Sequence, residues 1–200
     1  MAIWRPITYA AALAGYVLGA VALSGGGPVD AMAAFLLPTT IVAIDVLLRM
    51  LSKAPGDEPA AEERLAVVDA MVARIAVFVV GVHAAVLAAL LGWVPRGDWV
   101  IRAVPLMLGL TMVGIGNLLP RTRPNAAIGI RTRRTLADRA CWIRTHRDAG
   151  YLIVASGLVV ALSALAIPIP VGPRMIQVVG PIVLIGLWLL VRREARRQAA

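Results

Sequence analysis

The sequence predicts an all-α integral membrane protein: a six-transmembrane-helix bundle with N- and C-termini cytoplasmic and a structured basic cytoplasmic loop between helices 4 and 5. Three observations carry this. Hydrophobic residues make up 60% of the 200, too many for a soluble fold to cover with polar surface. The apolar residues gather into six runs long enough to cross a bilayer. With the N-terminus inside, all of the 20 basic residues except Arg96, Arg102 and Arg174 fall on the cytoplasmic side, as the positive-inside rule requires. A chain of this kind forms a single membrane domain over 1–200. The lone Cys141 excludes an internal disulfide framework. The net charge of +9 is matched to anionic lipids, so no direct nucleic acid partner is expected.

The first span is expected over 7–23, with Arg5 before it and the breaker Ser24-Gly25-Gly26-Gly27-Pro28 after it. Alone it has the look of a secretory signal, but five further spans favour an uncleaved helix. Gly15 and Gly19, with Ala11 one turn earlier, form a small-residue stripe for close helix packing. The second span, 31–51, contains Pro38 and Asp45. A charge at that depth costs at least about 2.5–3.5 kcal/mol and calls for a partner, which Arg49 at i+4 can supply. The pair is read first as structural and second as a ligand or proton site.

Asp57-Glu58-Pro59 has the composition of a helix start, so the third helix is expected to begin outside the membrane and to cross it over 75–95. His83 lies inside this span. A lone intramembrane histidine is more often a packing residue than a ligand, and nothing at ligand spacing supports a metal. The fourth span, 99–119, follows the link Arg96-Gly97-Asp98 and contains Pro105 and Arg102, the latter close enough to the end to snorkel. The fifth and sixth, 149–167 and 175–191, are separated by a proline-rich turn that forbids helix continuation.

The polar stretch 116–150 is the working part of the chain. It carries eight of the 20 basic residues, the only cysteine and His146 among several turn formers, and is too long to be a mere connector. Thr135 and Asp138 have capping-box spacing, which predicts a short helix from Leu136. On that helix Leu136, Ala140 and Ile143 would face the bilayer. Arg139, Trp142 and His146 would share another side, presenting a cation, an aromatic ring and an imidazole together. Arg131, turned by Gly129, is expected to close one pocket with His146. The loop also suits a plain interfacial anchor held by Trp142. No Ser-His-Asp, paired-carboxylate or metal-ligand spacing occurs, so neither an enzyme nor a cofactor is expected.

Gly116-Asn117, Pro124-Asn125, Gly129-Ile130-Arg131-Thr132, Thr135-Leu136, Trp142, Thr145-His146-Arg147 and Gly150 resemble the pattern GN…PN…GIRT…TL…W…THR…G of the SdpI family, bacterial membrane proteins of immunity to the sporulation-delay peptide toxin. The resemblance covers about 35 residues. It departs from the family pattern at Arg133-Arg134, where Pro-Trp is commoner, and at Ala126-Ala127, where aromatics are. It implies a multipass protein of the bacterial cytoplasmic membrane that confers resistance to a secreted peptide toxin and recruits a cytosolic transcriptional repressor. By this resemblance Asn117, Asn125, Gly129, Arg131, Thr132, Thr135, Arg139, Trp142, Thr145, His146 and Arg147 are the ligand- or partner-binding residues. The alternative is a small transporter or lipid-acting enzyme using the loop with Asp45 and His83.

Overall fold

The structure is a computed structural model that describes residues 3–26, 29–52, 58–93, 98–124, 128–168 and 171–197. Among them it is all-helical: α1 (Trp4–Ser24), α2 (Ala31–Ser52), α3 (Glu58–Leu90), α4 (Asp98–Gly116), a 3-10 turn (Leu119–Arg121), α5 (Arg133–Ala137), α6 (Arg139–Ala166) and α7 (Val171–Arg197). Six of the helices are long and apolar enough to cross a membrane. The expected helix start at Asp57 and the turn residues Arg96-Gly97 lie outside the described residues.

The helix ends differ from the expected spans for local reasons. Pro6 falls in the first turn of α1, where its missing N–H is no loss, so the helix begins at Trp4. α3 stops at Leu90, short of the expected 95, because Gly92 takes φ 70° and the Trp93 amide turns back to the Ala88 carbonyl. The largest difference is α6. Expected from 149, it starts at Arg139, capped by the Asp138 carboxylate, which accepts from the Ala140 amide at 2.8 Å. Twelve of the 35 residues of the expected loop, 139–150, therefore belong to this helix.

The chain packs as two groups of three. α1 lies against both α2 and α3, while α6 lies between α4 and α7; α3 and α4 join the groups. The stripe on α1 does what its spacing suggests: a Cβ on Gly15 would meet Pro38 Cβ at 2.9 Å, and one on Gly19 the Ala34 carbonyl oxygen at 2.2 Å. A second glycine interface joins α4 to α6. A Cβ on Gly109 would stand 2.5 Å from the Gly157 oxygen, and one on Gly157 2.6 Å from the Gly109 oxygen. One turn pair further on, Gly116 and Gly150 face each other in the same way, at 2.9 and 2.7 Å. Without Cβ atoms the two backbones touch, and van der Waals contact of this kind is the main association force between helices in lipid.

Gly157→Ala is therefore expected to cost about 1–3 kcal/mol, since its methyl meets backbone that cannot rotate away. Gly180→Ala, where a Cβ would meet nothing within 4 Å, should be neutral or slightly stabilising. Thermal unfolding of the two variants in one mild detergent tests the contrast.

Where the groups meet, Ala70 and Met71 of α3, Leu118, Leu119 and Ala149 form a buried cluster, joined by Trp4, Ile128, Ile130 and Leu187. This end of the bundle holds the polar loop, and the cluster roots the loop in both groups. At the opposite end Arg102 does not simply snorkel. Its guanidinium reaches across to the carbonyls of Ala164 at 2.6 Å and Ile167 at 3.1 Å, satisfying the C-terminal end of α6.

Candidate functional site

The loop is built by a chain of local hydrogen bonds. Pro120 favours the 3-10 turn, and Thr122 closes it with its hydroxyl donating to the Leu119 carbonyl at 2.7 Å. Gly129 takes φ 112°, a conformation that L side chains rarely adopt. Beyond it Thr132 begins α5. The capping box is one turn earlier than expected: the Thr132 hydroxyl accepts from the Thr135 amide at 3.1 Å, and the Thr135 hydroxyl accepts from the Thr132 amide at 2.9 Å. The expected box at Thr135 and Asp138 does not form because Asp138 caps α6 instead. Thr135 also donates to the Ile130 carbonyl at 2.7 Å, tying α5 to residues 128–132 before it, an irregular strand of chain with no β structure.

This strand is clasped to α6 by two fully buried rings. Trp142 and His146 stack with centroids 3.9 Å apart and planes 17° from parallel. Trp142 Nε1 donates to the Thr122 carbonyl at 2.9 Å. The Ile130 amide donates to His146 Nε2 at 2.9 Å, and His146 Nδ1 lies 2.8 Å from the Trp142 carbonyl. Since an amide can only donate, Nε2 is the acceptor and Nδ1 carries the proton. Both ring nitrogens are thus engaged with backbone. The imidazole acts as a clasp and has no lone pair left for acid–base work.

The candidate residues separate accordingly. Thr135, Trp142, Thr145 and His146 are buried, and Thr132 is half-buried. Asn117, Arg131, Arg139 and Arg147 are exposed, with Arg147 3.8 Å from Asp148, while Asn125 lies outside the described residues. Two expectations are corrected here. Arg139 does not join Trp142 and His146, because it stands on the first turn of α6, ahead of the part that the strand covers. Arg131 and His146 do not close one pocket either, since His146 is turned inward to Ile130 and Arg131 is outside. Leu136, Ala140 and Ile143 are exposed together, as their spacing suggested.

A cavity of about 250 Å³ lies between α5, α6 and the end of α7, lined among others by Thr132, Arg133, Cys141, Thr145 and Glu194. Glu194 is buried and accepts from Arg144 Nε at 3.0 Å, linking α7 to α6. Thr145 Oγ1 is buried with no hydrogen-bond partner among the described residues. The cavity therefore offers hydroxyls, a carboxylate and cationic edges to a polar group. Both nitrogens of His146 are held by backbone, so His146 does not activate the Cys141 thiol. Sequence reasoning missed Arg144 and Glu194. The one signal for them is a single acid inside the basic run Arg192-Arg193-Glu194-Ala195-Arg196-Arg197.

The intramembrane residues occupy the other group of helices. Asp45 pairs with Arg49 as its spacing suggested, through Nε–Oδ2 and Nη2–Oδ1 contacts of 2.9 Å each. Arg49 Nη2 also lies 2.7 Å from Asp69 Oδ1 on α3, and the Tyr9 hydroxyl of α1 donates to Asp45 at 3.4 Å. His83 is buried beside the backbones of Gly15 and Ala34, its Nε2 without a hydrogen bond among the described residues.

The model of the SdpI/YfhL protein family matches residues 121–192. The match runs from the 3-10 turn through the clasped strand and α6 into α7, the part of the chain that carries the loop. No curated protein and no solved structure matches the chain. With six membrane-length helices and this family match, the molecule is a multipass membrane protein.

Proposed function

We propose that the protein is a membrane immunity protein that protects its cell from a secreted, membrane-active peptide and signals through the loop at 119–147. The observation that carries this reading is the coincidence of the family match with the clasp: Gly129, Thr135, Trp142 and His146, all within residues 121–192, fasten one strand to α6. A peptide entering the bilayer meets the helices first. Because α6 touches α4 backbone to backbone and also carries the clasp, a shift of α6 against α4 is transmitted to the loop. The peptide must bind one arrangement of these helices better than the other, since equal affinity shifts no population.

The exposed face of the loop is the part offered to a cytosolic partner. Arg131, Arg139 and Arg147 provide cationic edges, and a transcriptional repressor held at the membrane is the partner that the family resemblance implies. The test is expression in toxin-sensitive cells challenged with a panel of secreted membrane-active peptides. Survival against one peptide, with no turnover of lipid or solute, supports the reading; sensitivity to the entire panel at normal membrane levels rejects it.

The reading also requires the loop to face the cytoplasm. A single cysteine at Arg133 should be shielded from an impermeant thiol reagent in intact cells and react after permeabilisation. One at Gly26, at the other end of the bundle, should react from outside. Labelling of the Arg133 position in intact cells would reverse the orientation.

A further inference from the structure

We infer that the groove between α1 and α4, floored by α3, holds an acyl chain of an anionic phospholipid whose phosphate rests on Arg74. α1 packs on α2 and α3, and α4 on α6 and α3, so the two outer helices share α3 without closing on each other. The gap is a cavity of about 340 Å³ whose walls include Ile7, Val77, Phe78 and Leu110, with Trp4 and Arg74 at the loop end. Val77 and Leu110 are 53% and 57% exposed, so the groove opens sideways, toward where the lipid lies.

Arg74 differs from three other arginines of the spans. Arg49 and Arg144 meet carboxylates, and Arg102 meets the carbonyls at a helix end. Arg74 crosses α4 at Gly114, where a Cβ would stand 2.8 Å from its Cδ, and lays its guanidinium 4.5 Å from the centre of the Trp4 ring. One N–H donates to the Ala70 carbonyl of its own helix at 2.6 Å, and among the described residues no carboxylate meets it. The nearby Arg121 adds a second positive charge. A guanidinium presents five donors, and a base in this setting calls for an anion.

Phospholipid is the occupant that fits both parts. Trp4 opens α1 and Gly114 lies two residues before the end of α4, so the guanidinium stands at headgroup level and the apolar walls run from it into the bilayer. The planar fork matches phosphate oxygens, and the walls match a hydrocarbon chain. A free phosphate would leave the walls uncovered. The site is independent of the immunity reading and of the clasp.

Native mass spectrometry of the full chain, purified in detergent with equal amounts of phosphatidylglycerol and phosphatidylcholine of the same chains, tests this. The expected result is retention of phosphatidylglycerol about tenfold over phosphatidylcholine, the discrimination a charge-assisted contact gives. Arg74→Gln should bring the ratio near one, and Val77→Trp, which fills the groove from an exposed position, should lower retention of both lipids. The double variant Arg192→Gln/Arg193→Gln should keep the wild-type ratio. An unchanged ratio in Arg74→Gln, unchanged retention in Val77→Trp, or loss of preference in the double variant overturns the assignment. So does displacement of the lipid by excess glycerol phosphate, which would make this a free-phosphate site. Displacement by an added membrane-active peptide at stoichiometric amounts would reassign the groove to a peptide.

Discussion

Gly129→Ala is expected to unfasten the loop from α6 and to abolish any activity that depends on it. Two separate effects act at this position. The backbone is at φ 112°, where an alanine is strained by about 1–3 kcal/mol. The new methyl would also stand 2.2 Å from His146 Nε2 and 3.2 Å from Trp142 Cη2, inside a pair of fully buried rings. Moving His146 aside strips the part-buried Ile130 amide of its acceptor, a further loss of about 1–3 kcal/mol for an unsatisfied donor. The sum, on the order of 2–6 kcal/mol, is concentrated in one strand and so should open the loop locally while the membrane helices persist. Limited trypsin digestion reads this directly: cleavage after Arg131, Arg133 and Arg134 should accelerate strongly while the six spans stay intact. Trypsin resistance equal to wild type would mean that the clasp does not hold the strand.

The transmembrane plan was legible because it depends on composition, and hydropathy survives without knowledge of contacts. Helix ends were less so. Arg139, Arg144, Arg147 and Asp148 have the composition of a loop, yet they are the first turns of α6, because Asp138 caps it and a buried face of Cys141, Trp142, Thr145 and His146 packs on its neighbours. The loop residues were recognisable as a group, and Gly129 was marked as a turn. Their roles were not readable. His146 has the look of a titratable group until the Ile130 amide, 16 residues away, is seen to occupy Nε2. An acid is the usual partner at the third position, which points from the sequence to a capping box at Thr135 and Asp138, whereas Thr135 is itself that partner to Thr132. The Gly109–Gly157 and Gly116–Gly150 contacts join helices far apart in the chain, and the matching spacing of 109 to 116 and 150 to 157 is the trace they leave in the sequence. Asp45–Arg49 followed from i, i+4 geometry alone; Asp69 was invisible as its third member because nothing local says that α2 and α3 meet at that level.

That third member makes Arg49→Met the most damaging change expected in the α1–α3 group. Arg49 bridges two carboxylates, at 2.9 Å from Asp45 and 2.7 Å from Asp69, whose side chains are 4% and 11% exposed. Without it, two enclosed acids would face each other with only the Tyr9 hydroxyl donating to one of them. Removing one partner of a buried pair typically costs about 3–5 kcal/mol because a charge is left uncompensated, and here two would be. The variant is expected to fail to accumulate in membranes. Asp45→Asn is a far milder change, since it leaves Arg49 its ion-pair contact with Asp69, although Asp69 Oδ1 makes no hydrogen bond among the described residues, and the new amide oxygen can still accept from Arg49; a loss of about 1 kcal/mol is expected. Combining Arg49→Met with Asp45→Asn and Asp69→Asn removes all three charges and should restore accumulation. The measurement is membrane level together with melting temperature in mild detergent, in the expected order Arg49→Met far below the triple variant, and Asp45→Asn close to wild type. Wild-type stability in Arg49→Met would show that the cluster does not hold the three helices together. A stable Asp45→Asn protein that has lost peptide resistance would instead move Asp45 from the framework into the working site.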